Sequence, residues 1–192
     1  MTTAAVVLAA GASVRLGEPK QLARLAGETL LERAVRTARE AGCSPVVVVL
    51  GAEAEQIAAQ SDLSDAVVAV NDEWNEGMAS SIRVGVRTLG AVASEADGVV
   101  LMTCDQSAVT AAHLRALMET GEAGGNAVAS AYAGRRGVPA YLPAAVFSQL
   151  LELRGDAGAR ELLVQAHCVQ LAGGELDIDT AEDLAEAKRR FR

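Results

Sequence analysis

Three short runs of apolar residues, each followed by a polar or helical segment, constrain the fold of this chain most strongly. They span residues 3–8, 45–50 and 66–70, and their β-branched side chains are typical of strands buried on both faces. Between the first two runs, apolar residues recur at helical spacing over residues 30–38, and Gly42 is well placed to end that helix. This alternation predicts a parallel sheet, in which ligands bind beyond the carboxyl ends of the strands.

The loop after the first run combines small residues with two cations. Its first side chains leave the backbone open to a ligand, and they belong to Ala9, Ala10 and Gly11. Gly11 and Gly17 permit a positive φ, so the backbone N–H groups can turn inward around an anion. Arg15 and Lys20 add positive charge in an otherwise acidic chain. The loop therefore predicts a phosphate-binding site; the alternative is a plain turn with two solvated charges.

Composition limits the class of protein further. A chain of 192 residues is expected to form one domain, residues 1–192, with a substantial core. The formal net charge of −8 disfavours nucleic acid and anionic membranes as partners. No apolar run approaches the roughly 20 residues of a membrane span, and no export signal is recognisable at the N-terminus. Three widely spaced cysteines suggest reduced thiols, so we expect a cytoplasmic protein.

Residues 71–82 form a polar cluster directly after the third predicted strand and lead into a helix predicted over residues 79–89. The cluster contains the single tryptophan, Trp74, which is either a packed hydrophobic anchor or a ring that stacks on a ligand; we favour the anchor. Ser80 is expected to be a surface hydroxyl in the first turn of the helix.

Carboxylates follow two further predicted strands. Asp105 comes after a strand over residues 97–102, and its oxygens are the ligands that Mg²⁺ prefers. Capping does not account for Asp105, because Thr110 is better placed to cap the next helix. Asp177 and Asp179 are expected to end a last strand and, being two residues apart, to point to the same face.

Residues 8–20 match L-A-A-G-x-S-x-R-x-G-x-x-K and thereby resemble the MobA-like NTP transferases, the nucleotidyltransferases related to the molybdenum-cofactor guanylyl- and cytidylyltransferases. Further family motifs follow in order: N-x-x-W-x-x-G-M-x-x-S-I at 71–82, Asp-Gln at 105–106, a G-x-x-G-H-P-like turn at 134–139, G-D-x-G-A-R at 155–160 and D-x-D-T-x-x-D-L at 177–184. Two positions depart from the family: Ser107 replaces a proline, and Val138 replaces a histidine, so Val138 is assigned no role.

The resemblance implies a three-layer α/β fold with a mainly parallel, Rossmann-like (GT-A-like) sheet, and a magnesium-dependent nucleotidyl transfer. The implied catalytic residues are Arg15, Lys20 and Asp105. The implied nucleotide-binding residues are Leu8, Ala9, Ala10, Gly11, Ser13, Arg15, Gly17, Lys20, Gly77 and Ser81. The implied Mg²⁺ ligands are Asp105, Asp177 and Asp179. The implied acceptor-binding residues are Gly137, Pro139, Asp156 and Arg160. Arg135 and Arg136 are either acceptor contacts or an exposed hairpin tip.

Within the family, the Leu-Ala-Ala-Gly form of the first motif goes with cytidine rather than guanosine. The resemblance therefore implies CTP and the molybdenum cofactor as substrates, with a molybdenum hydroxylase as a possible recipient of the product. Two alternatives stay open: a transferase of the same fold that acts on a sugar phosphate or another phosphorylated acceptor, and a non-catalytic chaperone that binds the cofactor.

Overall fold

A computed structural model describes residues 1–156 and 158–191. Its core is a seven-stranded, mostly parallel sheet with helices on both faces, which confirms the predicted fold class. The strands within these residues are β1 (Thr3–Ala9), β2 (Arg24–Leu25), β3 (Glu28–Thr29), β4 (Val46–Leu50), β5 (Val67–Val70), β6 (Gly98–Thr103), β7 (Val128–Tyr132), β8 (Arg135–Pro143) and β9 (His167–Gln170). The α-helices within them are α1 (Leu30–Ala41), α2 (Ala54–Gln60), α3 (Met78–Val92), α4 (Ala111–Gly124), α5 (Phe147–Glu152), α6 (Arg160–Leu163) and α7 (Ala181–Arg190).

The large sheet has the order β5-β4-β1-β6-β8-β7-β9. Strand β1 lies in its interior and pairs in parallel with β4 and β6, so the ends of these strands lie along one edge. Every residue of β1 and β4 is buried, as their apolar composition predicts. Strands β2 and β3 form a separate two-stranded hairpin just before α1.

The core forms a layer on each face of the sheet. Helices α1 and α4 cover one face, where Val7 and Leu31 belong to one hydrophobic cluster. Helices α3 and α5 cover the other face, where Val6 and Ile82 belong to a second cluster. The carboxyl end of α1 is as predicted, because Gly42 adopts a left-handed conformation there. Thr29 and Glu32 form a capping box at its start.

The carboxyl-terminal third of the chain departs from the sequence-based expectations. Strand β8 runs antiparallel to both of its neighbours, and β9, which the sequence analysis missed, extends the sheet beside β7. The predicted last strand ending at Asp177 and Asp179 is wrong, because Asp177 makes an isolated bridge to Gln106 and belongs to no strand. Thr180 and Asp183 form a capping box at the start of α7.

Two further observations bear on the expected class of protein. Within residues 1–156 and 158–191, no helix is both long and apolar enough to cross a bilayer. Cys43, Cys104 and Cys168 all carry free thiols, of which only Cys168 is exposed.

Candidate active site

The loop between β1 and Lys20 is held in place by two polar side chains. Gln21 is fully buried, and its Nε2 donates to the carbonyl oxygens of Ala9 (2.7 Å) and Gly11 (3.0 Å). Ser13 Oγ accepts a hydrogen bond from the Lys20 backbone N–H at 3.0 Å. Of the two glycines that permit a positive φ, Gly17 adopts one (81°) and Gly11 does not, whereas Ser13 adopts one as well (52°). Hydrogen bonds from Gln21 and Ser13 thus shape the loop and fix the position of Lys20.

The Lys20 ammonium bridges two carboxylates that come from distant parts of the chain. Its Nζ lies 2.6 Å from Asp105 Oδ2 and 2.8 Å from Asp179 Oδ1, and only 17% of the lysine side chain is exposed. Burial by itself would lower the pKa of Lys20, but the attraction of Asp105 and hydrogen bonds to both carboxylates raise it above its ordinary value. Lys20 is therefore positively charged throughout the physiological pH range.

Arg15 is attached to the same group of charges from the solvent side. Its NH2 group lies 2.7 Å from Asp179 Oδ2, and 71% of its side chain is exposed. Because exposed ion pairs contribute little, Arg15 is free to exchange this carboxylate for another anion.

A cavity of about 520 Å³ opens beyond the carboxyl ends of β1 and β6, where the topology places a ligand site. Seven of the predicted nucleotide-binding residues line it: Leu8, Ala9, Ala10, Gly11, Lys20, Gly77 and Ser81. Asp105 lies in the same wall. Ser13, Arg15 and Gly17, the other predicted members of the set, belong to the loop but do not line this cavity.

The wall formed by residues 71–81, called here the base segment, is held by a buried asparagine. Asn71 Nδ2 donates to Ser80 Oγ (2.8 Å) and Ser81 Oγ (2.9 Å), while Ser80 Oγ donates to the Glu73 carbonyl oxygen (2.9 Å). The expectation that Ser80 is a surface hydroxyl is wrong, because it is buried within this network. The network fixes Ser81 at the cavity wall.

Trp74 lies at the mouth of the first cavity, 36% exposed, and is not the packed anchor that we favoured from the sequence. Its side chain approaches the end of β4 closely: a Cβ on Gly51 would lie 2.6 Å from Trp74 Cβ and 2.7 Å from the Ala10 carbonyl oxygen. Gly51 is therefore what allows Trp74 to sit beside Ala10.

A second cavity, of about 260 Å³, adjoins the first, and Asp105 lines both. Of the predicted acceptor-binding residues, Gly137, Asp156 and Arg160 line it. Pro139 is buried and does not, because its carbonyl oxygen accepts a hydrogen bond from Ser130 inside the sheet. The cavity also receives Arg135 and Arg136, which are exposed next to the turn between β7 and β8. The pair therefore lies at the exposed hairpin, and its contact with an acceptor stays a prediction. Ala157, in the middle of the predicted acceptor motif, lies outside the described residues.

Gln106 connects strand β8 with the segment that carries Asp177. Its Nε2 donates to the Val138 carbonyl oxygen at 3.0 Å, and its backbone bridges that of Asp177. Ile178 N–H donates to the Asp105 carbonyl oxygen at 3.0 Å, so the chain segment that carries Asp177 and Asp179 is attached directly to the Asp105 loop.

The carboxyl of Asp177 is the most perturbed acid of the site. Burial, together with repulsion from Asp105, raises its pKa from the usual 3.8 to about 6, although Arg135 partly offsets this. The raised pKa indicates a region of concentrated negative charge, in which a bound cation would be favoured.

This shift predicts a pH-dependent gain in stability for the Asp177→Asn variant without metal. An acid whose folded pKa is raised destabilises the fold above its unfolded pKa, so the wild type loses stability from about pH 4 to pH 6. We expect the variant to be more stable by about 1–3 kcal/mol at pH 7.5 and the difference to vanish near pH 4. Urea unfolding of both proteins in EDTA measures it; a constant difference across this range would contradict the prediction.

Lys20 brings Asp105 and Asp179 together, and Asp177 lies close enough for the charge of Asp105 to raise its pKa, but the ammonium of Lys20 lies between two of the three carboxylates. In the part of the chain that the structure describes, no three His, Cys, Asp or Glu residues are grouped closely enough to hold a metal ion. The donor set nevertheless fits a hard divalent ion, because Asp105 and Asp179 offer carboxylate oxygens to one cation already. Their role as metal ligands stays a prediction.

Three residues that shape the site had no functional assignment from the sequence. Asn71 had a usable signal, since it is a polar residue directly after an apolar strand. Gln21 and Gly51 had none, because their roles depend on how the loop after β1 folds back against β4. The path of this loop depends on tertiary contacts, which the sequence pattern does not show.

Comparison with known proteins places this geometry in context. The family described as the MobA-like NTP transferase domain matches residues 5–170. Nicotine blue oxidoreductase from Paenarthrobacter nicotinovorans is 33% identical over 195 residues, which cover 93% of each chain. A probable molybdenum cofactor guanylyltransferase from Opitutus terrae is 38% identical over 110 residues, 57% of this chain and 50% of the relative.

The crystal structure of Rv0371c from Mycobacterium tuberculosis H37Rv superimposes with a TM-score of 0.87 at 33% identity and covers 98% of each chain. A second structure of Rv0371c, in complex with manganese, superimposes with a TM-score of 0.80 at 30% identity, covering 98% of this chain and 99% of the other.

Proposed function

The chain belongs to the MobA-like NTP transferase family, and on this premise we propose that it transfers a cytidylyl group from CTP to the molybdenum cofactor. The observation that carries the proposal is the meeting of two cavities at Asp105, with Lys20 beside it. A nucleotide in the first cavity and a phosphorylated acceptor in the second would bring the α-phosphate and the attacking oxygen together there.

In this proposal, the first cavity binds CTP. The loop amides from Ala10 to Gly17, together with Lys20 and Arg15, hold the triphosphate. The methyl of Ala10 limits the space beside Trp74 and favours the smaller pyrimidine, while Ser81 offers a fixed hydroxyl to the base or ribose. The Leu-Ala-Ala-Gly form of the loop, typical of the cytidylyl branch, supports the same choice.

The second cavity binds the acceptor. Arg135, Arg136 and Arg160 supply positive charge suited to a phosphorylated molecule, and Asp156 offers a hydrogen-bond acceptor. The phosphate of the acceptor is already a nucleophile, so no side chain is required as a base. Positioning and charge neutralisation then account for the catalysis. A molybdenum hydroxylase would receive the product.

Asp105 and Asp179, with Asp177 next to them, would hold a divalent ion such as Mg²⁺. The donor chemistry described above and the manganese complex of Rv0371c support this assignment. Such an ion would supply charge neutralisation for the α-phosphate and the departing pyrophosphate. Lys20 would then move from the carboxylates to the triphosphate, where its positive charge is required.

A turnover assay with each of the four NTPs and purified molybdenum cofactor tests the proposal. We expect release of pyrophosphate and formation of the cytidine dinucleotide product, with CTP preferred. Turnover with a sugar phosphate instead would identify the alternative transferase, and nucleotide binding without turnover would identify a chaperone. The Paenarthrobacter relative is named an oxidoreductase. Because a redox reaction would release no pyrophosphate, the same assay distinguishes such an activity from nucleotidyl transfer.

Base choice is predicted to depend on Ala10. In the Ala10→Gly variant, loss of the methyl enlarges the space beside Trp74 and should raise the use of GTP relative to CTP. One methyl group in a pocket is worth about 1–3 kcal/mol, so we expect a relaxed preference rather than a reversal. Comparing kcat/KM for both nucleotides in the two proteins measures the effect. A wild type that prefers GTP, or an unchanged ratio in the variant, would show that this loop does not select the base.

A further inference from the structure

The two cavities share a wall that is made from two separate parts of the chain. Met78 and Asp156 line both cavities. Met78 begins α3 and lies within the base segment. Asp156 belongs to the segment between α5 and α6, called here the acceptor loop (residues 153–156 and 158–160). The contact between these two segments therefore lies between the proposed nucleotide and acceptor sites.

The acceptor loop caps the first turn of α3. The backbone N–H groups in the first turn of a helix have no partner within the helix. Gly77, at the N-cap of α3, supplies no side chain, and Ala79 N–H donates instead to the carbonyl oxygen of Gly155 at 3.0 Å. The start of α3 is thus completed by a group from the acceptor loop, 76 residues further along the chain.

Glycines on both sides allow the two segments to touch. A Cβ on Gly77 would lie 2.8 Å from the Gly155 carbonyl oxygen and would also collide with Asp156 Oδ1. Gly77 has a φ of +109°, which other residues rarely adopt. On the other side, a Cβ on Gly158 would lie 2.8 Å from Met78 Sδ. Any displacement of one segment is therefore transmitted to the other.

Arg83 joins the same two segments through one guanidinium group. Its side chain is 8% exposed. Its NH1 group donates to the Leu153 carbonyl oxygen at 2.7 Å, and its NH2 group donates to Glu76 Oε2 at 3.3 Å. A buried guanidinium must keep its partners, and its planar fork holds them in a fixed relative position. Arg83 thereby joins the acceptor loop to the base segment at Glu76.

We infer that Arg83 is a positioning residue that couples the two cavities, so that a nucleotide bound in the first orders the acceptor loop of the second. The inference rests on the proposed function, since it takes the first cavity as the nucleotide site. A nucleotide that contacts the wall at Met78 and Ser81 stabilises the start of α3. The Gly155 cap and the Arg83 fork then carry this stabilisation to the acceptor loop, which is prepared before the acceptor arrives.

Hydrogen–deuterium exchange of the full chain, with and without CTP and Mg²⁺ and with no acceptor added, tests the coupling. In the wild type, CTP should slow exchange in both segments, by about fivefold or more in the acceptor loop. In Arg83→Met, which keeps the length and apolar contacts of the side chain, CTP should still protect the base segment but no longer the acceptor loop. Arg83→Lys, which can keep one of the two bonds, should restore part of the protection.

Arg87→Met is the matched control, because Arg87 is an exposed arginine one turn further along α3. It should leave both responses unchanged. Glu76→Gln removes the ion pair but keeps the Leu153 bond, so it tests the fork if Arg83→Met does not fold; it should reduce the loop response only in part. Protection of the base segment alone in the wild type, or equal loop protection in wild type and Arg83→Met, would overturn the inference. Protection of neither segment by any NTP would overturn the proposed function as well.

Discussion

Replacing Asp105 by Ala or Asn is expected to reduce nucleotidyl transfer about a hundredfold or more, the largest loss among the changes considered. Asp105 lies at the end of β6, lines both cavities and contacts the Lys20 ammonium at 2.6 Å. Losing a carboxylate from a bridging metal site removes several kcal/mol of transition-state stabilisation. The Asn variant keeps the size of the side chain and a hydrogen-bond acceptor for Lys20, so its fold should be intact.

The measurement is kcat with CTP and the cofactor at saturating Mg²⁺, with circular dichroism and thermal unfolding to verify the fold. Asp65→Asn is the matched control, because Asp65 is exposed and pairs only with Arg39, away from both cavities. It should retain full activity. An Asp105 variant that keeps half of the wild-type rate would show that Asp105 is not a ligand of a catalytic metal ion.

Lys20→Met is expected to change two properties in opposite directions. Transfer should fall about a hundredfold, because the lysine supplies a preorganised charge to the departing pyrophosphate. The affinity of the nucleotide-free protein for a divalent ion should rise about tenfold or more, because Asp105 and Asp179 lose the cation that now neutralises both. Lys20→Ala should reduce transfer in the same way, although it also leaves a gap.

Titration with Mn²⁺ by isothermal calorimetry gives the affinity, and pyrophosphate release gives the rate. Arg15→Ala is the comparison: its side chain is largely exposed and contacts only Asp179, so transfer should fall at most about fivefold. Normal CTP binding and turnover in both variants would show that Lys20 and Arg15 are ordinary surface charges. A Lys20→Met protein with unchanged Mn²⁺ affinity would show that the ammonium and the metal do not compete.

The parallel half of the sheet was predictable because its signals are local. Strands β1, β4 and β6 are short apolar runs that must be buried on both faces, and their carboxyl ends then fall at one edge whatever the details of packing. This reasoning places Asp105 correctly. The helix ends at Gly42, Thr110 and Thr180 could be predicted equally well from the sequence, because capping depends on a few neighbouring residues.

The remaining features depend on contacts between distant segments. Strand β9 has a weak pattern, since three of its four residues are exposed, and only its pairing with β7 makes it a strand. Asp177 belongs to irregular chain held by single hydrogen bonds to residues near position 105. The pairing of Lys20 with Asp179 spans 159 residues of sequence. The spacing of apolar residues along the chain does not indicate contacts between such distant segments.

The β7–β8 hairpin should tolerate insertions that the loops after the parallel strands would not. Strands β1, β4 and β6 lead into loops whose following helices pack on the sheet, so an insertion there would displace part of the core. The turn at Ala133 and Gly134 joins neighbouring antiparallel strands directly, and a longer turn would leave the core in place. Arg135 and Arg136 place that turn at the second cavity. If the second cavity binds the acceptor as proposed, grafting a different turn at this point offers a way to redirect the protein to a new acceptor while the first cavity stays unchanged.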